Sequence, residues 1–235
     1  MSDDQLRWVI FTVSIISSID NPSAHLWRAI GRRLHQRENV ATFFETRGNR
    51  AVQALLRRER SEGFSAFRTR FPDIHYQTVD QFSGFALAEW LTRTLSTVDV
   101  ALVDRDASPE LIAALSEFSR PFLQTFLIDP GWNAEPIDPT PLANFTGVLA
   151  GNDALVASYA EATDAARVYE FGPLPATLAE PEPTAEQVAA LDDAADRAIA
   201  KIISVSEKIR RARGTQIVAN GRANHTDQFV PHEPD

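Results

Sequence analysis

The first forty-odd residues constrain this chain most: LRWVIFTVSIISSIDNPSAHLWRAIGRRLHQRENVATFFET. A continuous, β-branched apolar run, Leu6–Ile16, breaks at Ser17-Ser18-Ile19-Asp20-Asn21-Pro22. Residues His25–Glu38 follow with Leu26, Ile30 and Leu34 at fourfold spacing, which predicts a helix. A second apolar run, Val40–Thr46, comes next. A strand with no polar alternation is one covered on both faces, so strand, loop, helix and strand together make one unit of a parallel α/β sheet. Such sheets bind ligands beyond the carboxyl ends of their strands.

The same alternation continues. Ala51–Arg60 and Phe64–Phe71 read as helices separated by Ser61-Glu62-Gly63, and His75–Val79 as a short strand. Phe85–Leu95 is a helix, and Val98–Val103 a strand ending in Asp104. Ser108-Pro109-Glu110 has a serine cap, proline at the first helical position and an acid facing the helix dipole, so a helix starts there. Pro121–Ile128 is a strand that ends in the turn Asp129-Pro130-Gly131. Gly147–Ala150, Asp153–Glu161 and Ala166–Phe171 complete the pattern as strand, helix and strand. The expected fold is α/β: a doubly wound, mostly parallel Rossmann-like sheet of six to seven strands, with a long C-terminal helix and a mobile tail.

Four segments are expected: the sheet domain over 1–175, a proline- and acid-rich linker over 176–183, a long amphipathic helix over 184–214 and a polar tail over 215–235. Thr184-Ala185-Glu186-Gln187 is a capping-box sequence that opens the helix, and Gly214 is where it is expected to stop. Val188, Leu191, Ala195, Ile199, Ile202, Val205 and Ile209 form one apolar stripe. That stripe either packs back on the parent domain or holds a protein partner or a second copy of the chain.

Absent residue types exclude several chemistries. With no cysteine there is no disulfide, thiolate metal site, iron–sulfur cluster or cysteine nucleophile. The net charge of −9 gives a polyanion no help, so nucleic acid is not the expected partner. The N-terminal apolar run is too short to span a bilayer and lacks a basic flank, which predicts a cytoplasmic protein with no membrane span. There is no G-x-G-x-x-G, Walker A loop, G-x-S-x-G elbow or H-E-x-x-H. No cofactor and no metal site is expected.

The candidate site is the carboxyl-end rim. After the first strand, Ser17, Ser18 and Asp20 could hold a sugar hydroxyl or phosphate near a helix N-terminus, or simply form a loop with Asp20, Asn21 or Ser23 as cap. His25, at the helix start, is a ligand contact or a packing residue. Arg47, after the second strand, is the best single candidate for an anion. Asp104 and Asp129 end two other strands, where each could act as a base or metal ligand or serve turn chemistry. Asn152 and Asp153 start a helix on the same rim, with one of them as N-cap.

The layout resembles the N-terminal domain of GT-B glycosyltransferases, especially the family-4-like and spore-maturation-like groups. The resemblance is carried by IFTVSIIS, by His-Leu-Trp-Arg-Ala-Ile-Gly-Arg-Arg-Leu (His25–Leu34), by NVATFFETRGN (Asn39–Asn49), by STVDVALVDRDASPEL (Ser96–Leu111) and by Phe145–Pro175. It covers about 170 residues. Where the family has Gly-His before the second strand, this chain has Glu38-Asn39. The resemblance implies a single GT-B half that binds a sugar, nucleotide sugar or other small ligand at the rim, or that partners a catalytic subunit. The half that normally holds the nucleotide-sugar donor has no counterpart here, which implies an enzyme incomplete or inactive alone. A non-catalytic interaction or assembly protein on an inherited fold is the alternative. A doubly wound enzyme using rim aspartates with Mg²⁺ is a third reading.

Overall fold

The computed structural model describes residues 5–19, 21–80, 83–118, 120–133, 137–178 and 182–223, with side chains described through 212. The chain divides into two units, Met1–Ile199 and Ala200–Asp235. In the first unit the elements run β1 (Arg7–Thr12), α1 (Ser23–Gln36), β2 (Val40–Thr46), α2 (Arg50–Glu59), α3 (Glu62–Arg70) and β3 (His75–Val79). Then come α4 (Gly84–Thr94), β4 (Val100–Asp104), α5 (Pro109–Glu117), β5 (Gln124–Asp129), β6 (Gly147–Ala150), α6 (Asp153–Ala162) and β7 (Val168–Glu170). The final helix, α7 (Ala185–Ala223), starts in the first unit, and the second unit contains the rest of its length.

All seven strands are parallel, in the order β3-β2-β1-β4-β5-β6-β7. From β1 the chain winds outward through β2 and β3, then returns to β4 on the other side of β1 and winds outward again. The fold is therefore a doubly wound, Rossmann-like α/β sheet, and its switch point lies between β1 and β4. The unbroken apolar runs account for it: every residue of β4 and of β5 is buried. Trp8 and Trp27 are core residues at 2% and 0% exposure.

The first strand is shorter than its apolar run. It ends at Thr12, and Ser14, Ile15 and Ile16 form a buried loop instead of a ladder. Periodicity cannot separate these cases, because a loop buried beneath a helix needs the same side chains as a buried strand. What distinguishes them is the hydrogen-bond partner: Ile15 N–H donates to the Glu45 carboxylate at 3.0 Å.

The local signals at the starts of α5 and α7 hold. Ser108 Oγ caps α5 by accepting from Leu111 N–H at 3.2 Å, with Pro109 at the first helical position. Thr184 and Gln187 form the reciprocal capping box: Thr184 N–H donates to Gln187 Oε1 at 2.9 Å, and Gln187 N–H to Thr184 Oγ1 at 3.3 Å. The end of α7 does not match expectation. The helix runs through Gly214 to Ala223, so residues 215–223 are helical and not tail. A lone glycine inside a helix costs only about 1 kcal/mol against alanine, which good helix formers on either side outweigh. The remainder of the expected tail, 224–235, lies outside the described residues.

Within the first unit most of the apolar stripe of α7 is spent on its own domain, while Val188 stays 37% exposed. Leu191, Ala195 and Ile199 are buried at 2%, 0% and 1% exposure, beside Ala194 and Ala198. Small alanines let the helix approach closely. The contact with α1 is pinned by Arg32–Asp192 at 2.7 Å, Arg33–Asp196 at 3.2 Å and Arg37–Asp196 at 2.9 Å.

Glu38 occupies the turn before β2 with φ of 58°. This left-handed backbone is strained for a residue with a Cβ and suits glycine. It is the position where the resembling family carries its glycine.

Candidate ligand site at the strand-order switch

The loop after β1 is built from both sides. On the β2 side, Glu45 is 1% exposed and its Oε2 accepts from Ser14 Oγ at 3.2 Å and from Ile15 N–H. On the β4 side, Asp104 is 0% exposed and accepts from Trp27 Nε1–H at 2.6 Å and from Asp106 N–H at 3.0 Å. Burial raises both acids to about 7, because the charged form has lost its water while the donors recover only part of that loss. Among the described residues, Glu45 Oε1 has no hydrogen-bond partner.

A cavity of about 250 Å³ opens at this switch point. Phe11, Phe44 and Trp90 give it an apolar wall; Trp90 meets the two phenyl rings edge-on at centroid distances of 5.8 and 5.3 Å. Its polar lining comes from Thr12, Glu45, Thr46, Asn49, Asp80 and Asp106, with Ser108 beyond them. Among the described residues, no lysine, arginine or histidine lines it. Hydroxyls, carboxyls and an aromatic face, with no cation, suit a neutral, hydroxyl-rich ligand and repel an anion.

The residues singled out from sequence do not all gather here. Ser17 is buried and used internally: its N–H donates to Ser14 Oγ at 3.1 Å and its Oγ accepts from Ile19 N–H at 3.3 Å. Asp20 lies outside the described residues. Asn21 does not cap α1; its amide donates to Ser14 O at 3.0 Å and so braces the loop. The residue before α1 is Pro22, with no side-chain cap. Ser18 and His25 line a different cavity, beside Arg28, Arg70 and Glu182. Burial, reinforced by Arg28, lowers His25 to about 4, so it is neutral at pH 7.

Arg47 is largely exposed and pairs with Asp80 at 3.5 Å. Asp104 is the loop brace just described. Asp129, 1% exposed, accepts from Gly131 N–H at 2.8 Å and from Tyr159 Oη–H at 2.7 Å, with Arg105 Nη1 3.6 Å away. Burial, and then the Asp129 charge, raise the Tyr159 phenol. Asn152 is the N-cap of α6, accepting from Leu155 N–H at 3.0 Å, and Asp153 is its exposed first residue. Asp104, Asp129 and Asn152 therefore carry turn and cap chemistry. Among the described residues no three histidine or acidic side chains cluster as a metal site would need.

Glu45, Asp80 and Trp90 are not singled out by the sequence as site residues. Glu45 and Trp90 sit inside apolar runs that read as core. The signal available for Glu45 was an acid interrupting a buried strand, since an acid is almost never fully buried without a purpose.

The chain is a doubly wound α/β protein with a cavity at its switch point. No family model matches the chain, and no curated protein matches it. Among solved structures it is similar to an alpha-glucosyltransferase in complex with UDP and a 13-mer DNA, at 10% identity over 73% of this chain and 43% of that one, with a TM-score of 0.45. It is also similar to the E. coli tRNA N6-threonylcarbamoyladenosine dehydratase in complex with AMP, at 13% identity over 90% of this chain and 89% of that one, TM-score 0.40. A third is the trehalose-phosphate synthase of Burkholderia xenovorans in complex with glucose-6-phosphate, at 18% identity over 88% of this chain and 42% of that one, TM-score 0.35. The chain spans less than half the length of the glucosyltransferase and of the synthase. The three names describe different activities, and none is transferred to this chain. No described helix is long and apolar enough to cross a membrane.

Proposed function

We propose that this protein is a glycosyltransferase-like α/β domain whose function is to bind a sugar or another neutral polyhydroxylated ligand in the switch-point cavity. The observation that carries this reading is the lining: an aromatic wall of Phe11, Phe44 and Trp90 facing hydroxyls and carboxyls, with no basic side chain. Apolar sugar faces stack on aromatic rings, and sugar hydroxyls donate to carboxylates. The resemblance of residues 10–175 to N-terminal GT-B domains supports the same ligand class.

Binding, and not transfer on its own, is the proposed role. Asp104 and Asp129, the rim acids best placed in sequence to act as bases, are both committed to internal donors. Transfer would take a second, donor-holding domain or subunit, and that partnership belongs to the proposal. Titration calorimetry of the purified chain with neutral mono- and disaccharides and with UDP- and GDP-sugars tests it. Saturable binding of a neutral sugar, weakened by Thr46→Val, supports the reading, and binding of a nucleotide sugar without any neutral sugar overturns it. Absence of binding to every member sinks it and moves the weight to the interaction-protein alternative.

A further inference from the structure

The second cavity, also about 250 Å³, has the opposite character. Ser18, His25, Arg28, Arg32, Arg70 and Glu182 line it. Three guanidinium groups face one carboxylate, in a chain whose net charge is −9.

Arg28 is the reason this matters. It is 8% exposed, and its Nε and Nη2 donate to Ile15 O at 2.8 Å and Ile16 O at 2.9 Å. Its guanidinium carbon lies 5.5 and 5.3 Å from the ring centres of Phe67 and Phe71. Carbonyls and ring faces are partial compensation for a buried cation, but they carry no full charge. Among the described residues no carboxylate lies within ion-pair distance of Arg28. Burial and the neighbouring Arg70 charge lower it to about 10, so it still carries its charge at pH 7. A buried cation without a counter-ion is costly unless something else neutralises it.

Glu182 and Glu45 act on Arg28 only through space, and neither is paired with it. Arg32 is committed to Asp192 at 2.7 Å. Glu182 is committed to Arg70, which it holds through both carboxylate oxygens. Glu182 therefore stands where the carboxylate or phosphate of an anionic ligand would stand on Arg70. It neutralises Arg70 as Asp192 neutralises Arg32, so Arg28 is left in excess; with Glu182 displaced, Arg28 and Arg70 together match a dianion.

We propose that this cavity binds the phosphate group of a small phosphorylated molecule, held between Arg28 and Arg70, with Glu182 as the internal competitor it displaces. The Ser18 hydroxyl and the neutral His25 imidazole line the same space and supply further hydrogen-bonding groups. A tetrahedral dianion can span two guanidiniums, whereas one carboxylate already saturates Arg70 alone. This site is separate from the cation-free cavity at the switch point, so either can fail without the other.

Calorimetric titration of the full chain with inorganic phosphate and with pyrophosphate, at low ionic strength and pH 7, tests the proposal. Arg70 and Glu182 are more than half exposed, so variants there leave the fold intact. One saturable site is expected. Arg70→Gln should weaken it by about tenfold or more, the loss of one charged hydrogen-bonding group. Glu182→Gln should tighten it several-fold by removing the competitor, and Asp80→Asn, in the other cavity, should leave it unchanged. No saturable binding to the native chain or to Glu182→Gln overturns the proposal. So does binding that Arg70→Gln does not weaken. An oligonucleotide that binds where phosphate and pyrophosphate do not would overturn the small-molecule assignment.

Discussion

Glu45 and Arg28 hold the two ends of one residue: Ile15 donates its N–H to Glu45 at 3.0 Å and accepts Arg28 at its carbonyl at 2.8 Å. A buried acid from β2 and a buried base from α1 thus fix the loop after β1 without touching each other. Glu45 belongs to the lining of the cation-free cavity and Arg28 to that of the basic one. Val13 of the loop lines the first cavity and Ser18 the second.

Glu45 makes the fold sensitive to pH. Burial raises its carboxyl from 4.5 to about 7, so the folded chain binds this proton more tightly than the unfolded chain does. Its contribution is therefore greatest at low pH and falls as pH rises from 4.5 through about 7. Asp104 acts in the same direction, while His25, lowered to about 4, acts in the opposite one. Glu45→Gln removes the Glu45 slope alone. Relative to the native chain it should gain on the order of 1–3 kcal/mol between pH 5 and pH 8. Urea unfolding of both chains at several pH values measures the change; a constant difference across the range would refute it.

Asp129 is a structural anchor, so its loss should appear in stability. Asp129→Asn removes one of two carboxylates beside Arg105, whose side chain is 5% exposed, while Asp106 stays 3.0 Å away. Unfolding free energy should fall by roughly 2–4 kcal/mol, because the Gly131 and Tyr159 hydrogen bonds lose their charged acceptor. Tyr159→Phe deletes only the 2.7 Å hydrogen bond and should cost about 1–3 kcal/mol. Denaturant titration of the two variants gives the order as well as the sizes.

Glu38→Gly should stabilise the protein. The left-handed backbone at φ 58° costs a side-chain-bearing residue about 1–2 kcal/mol, and glycine's extra unfolded entropy returns only part of that. A gain of up to about 1 kcal/mol is expected. A lower melting temperature in the variant would show that the Glu38 side chain contributes more than the strain it carries.

The switch-point cavity predicts a division between binding and folding. Thr46→Val keeps volume and removes a hydroxyl from the lining, so sugar affinity should drop by about tenfold while the melting temperature hardly moves. Trp90→Ala removes the wall that packs on Phe11 and Phe44, so affinity and stability should fall together. Calorimetry and thermal unfolding on the same samples separate the two effects.

Much of the fold was legible in the chain. The alternation of apolar runs with fourfold-spaced helices predicted parallel strands from Val40–Thr46 to Gly147–Ala150, and both are strands with those bounds. Caps at Ser108, Asn152 and Thr184 were equally legible, because a cap is made by residues three apart. Sequence determined these features because helices, caps and covered strands depend on neighbours within a turn or two. Only the tertiary structure decided where β1 ends, since Ser14 and Ile15 answer to Glu45, thirty residues on. It alone decided that Asp104 and Asp129 turn inward to Trp27 and Tyr159, leaving the lining to Glu45, Asp80, Trp90 and Asp106. The same holds for the burial of Arg28 in the first helix, which its place in the sequence does not reveal. Whether a charge is solvated or stranded depends on what the fold packs around it, and no local pattern records that.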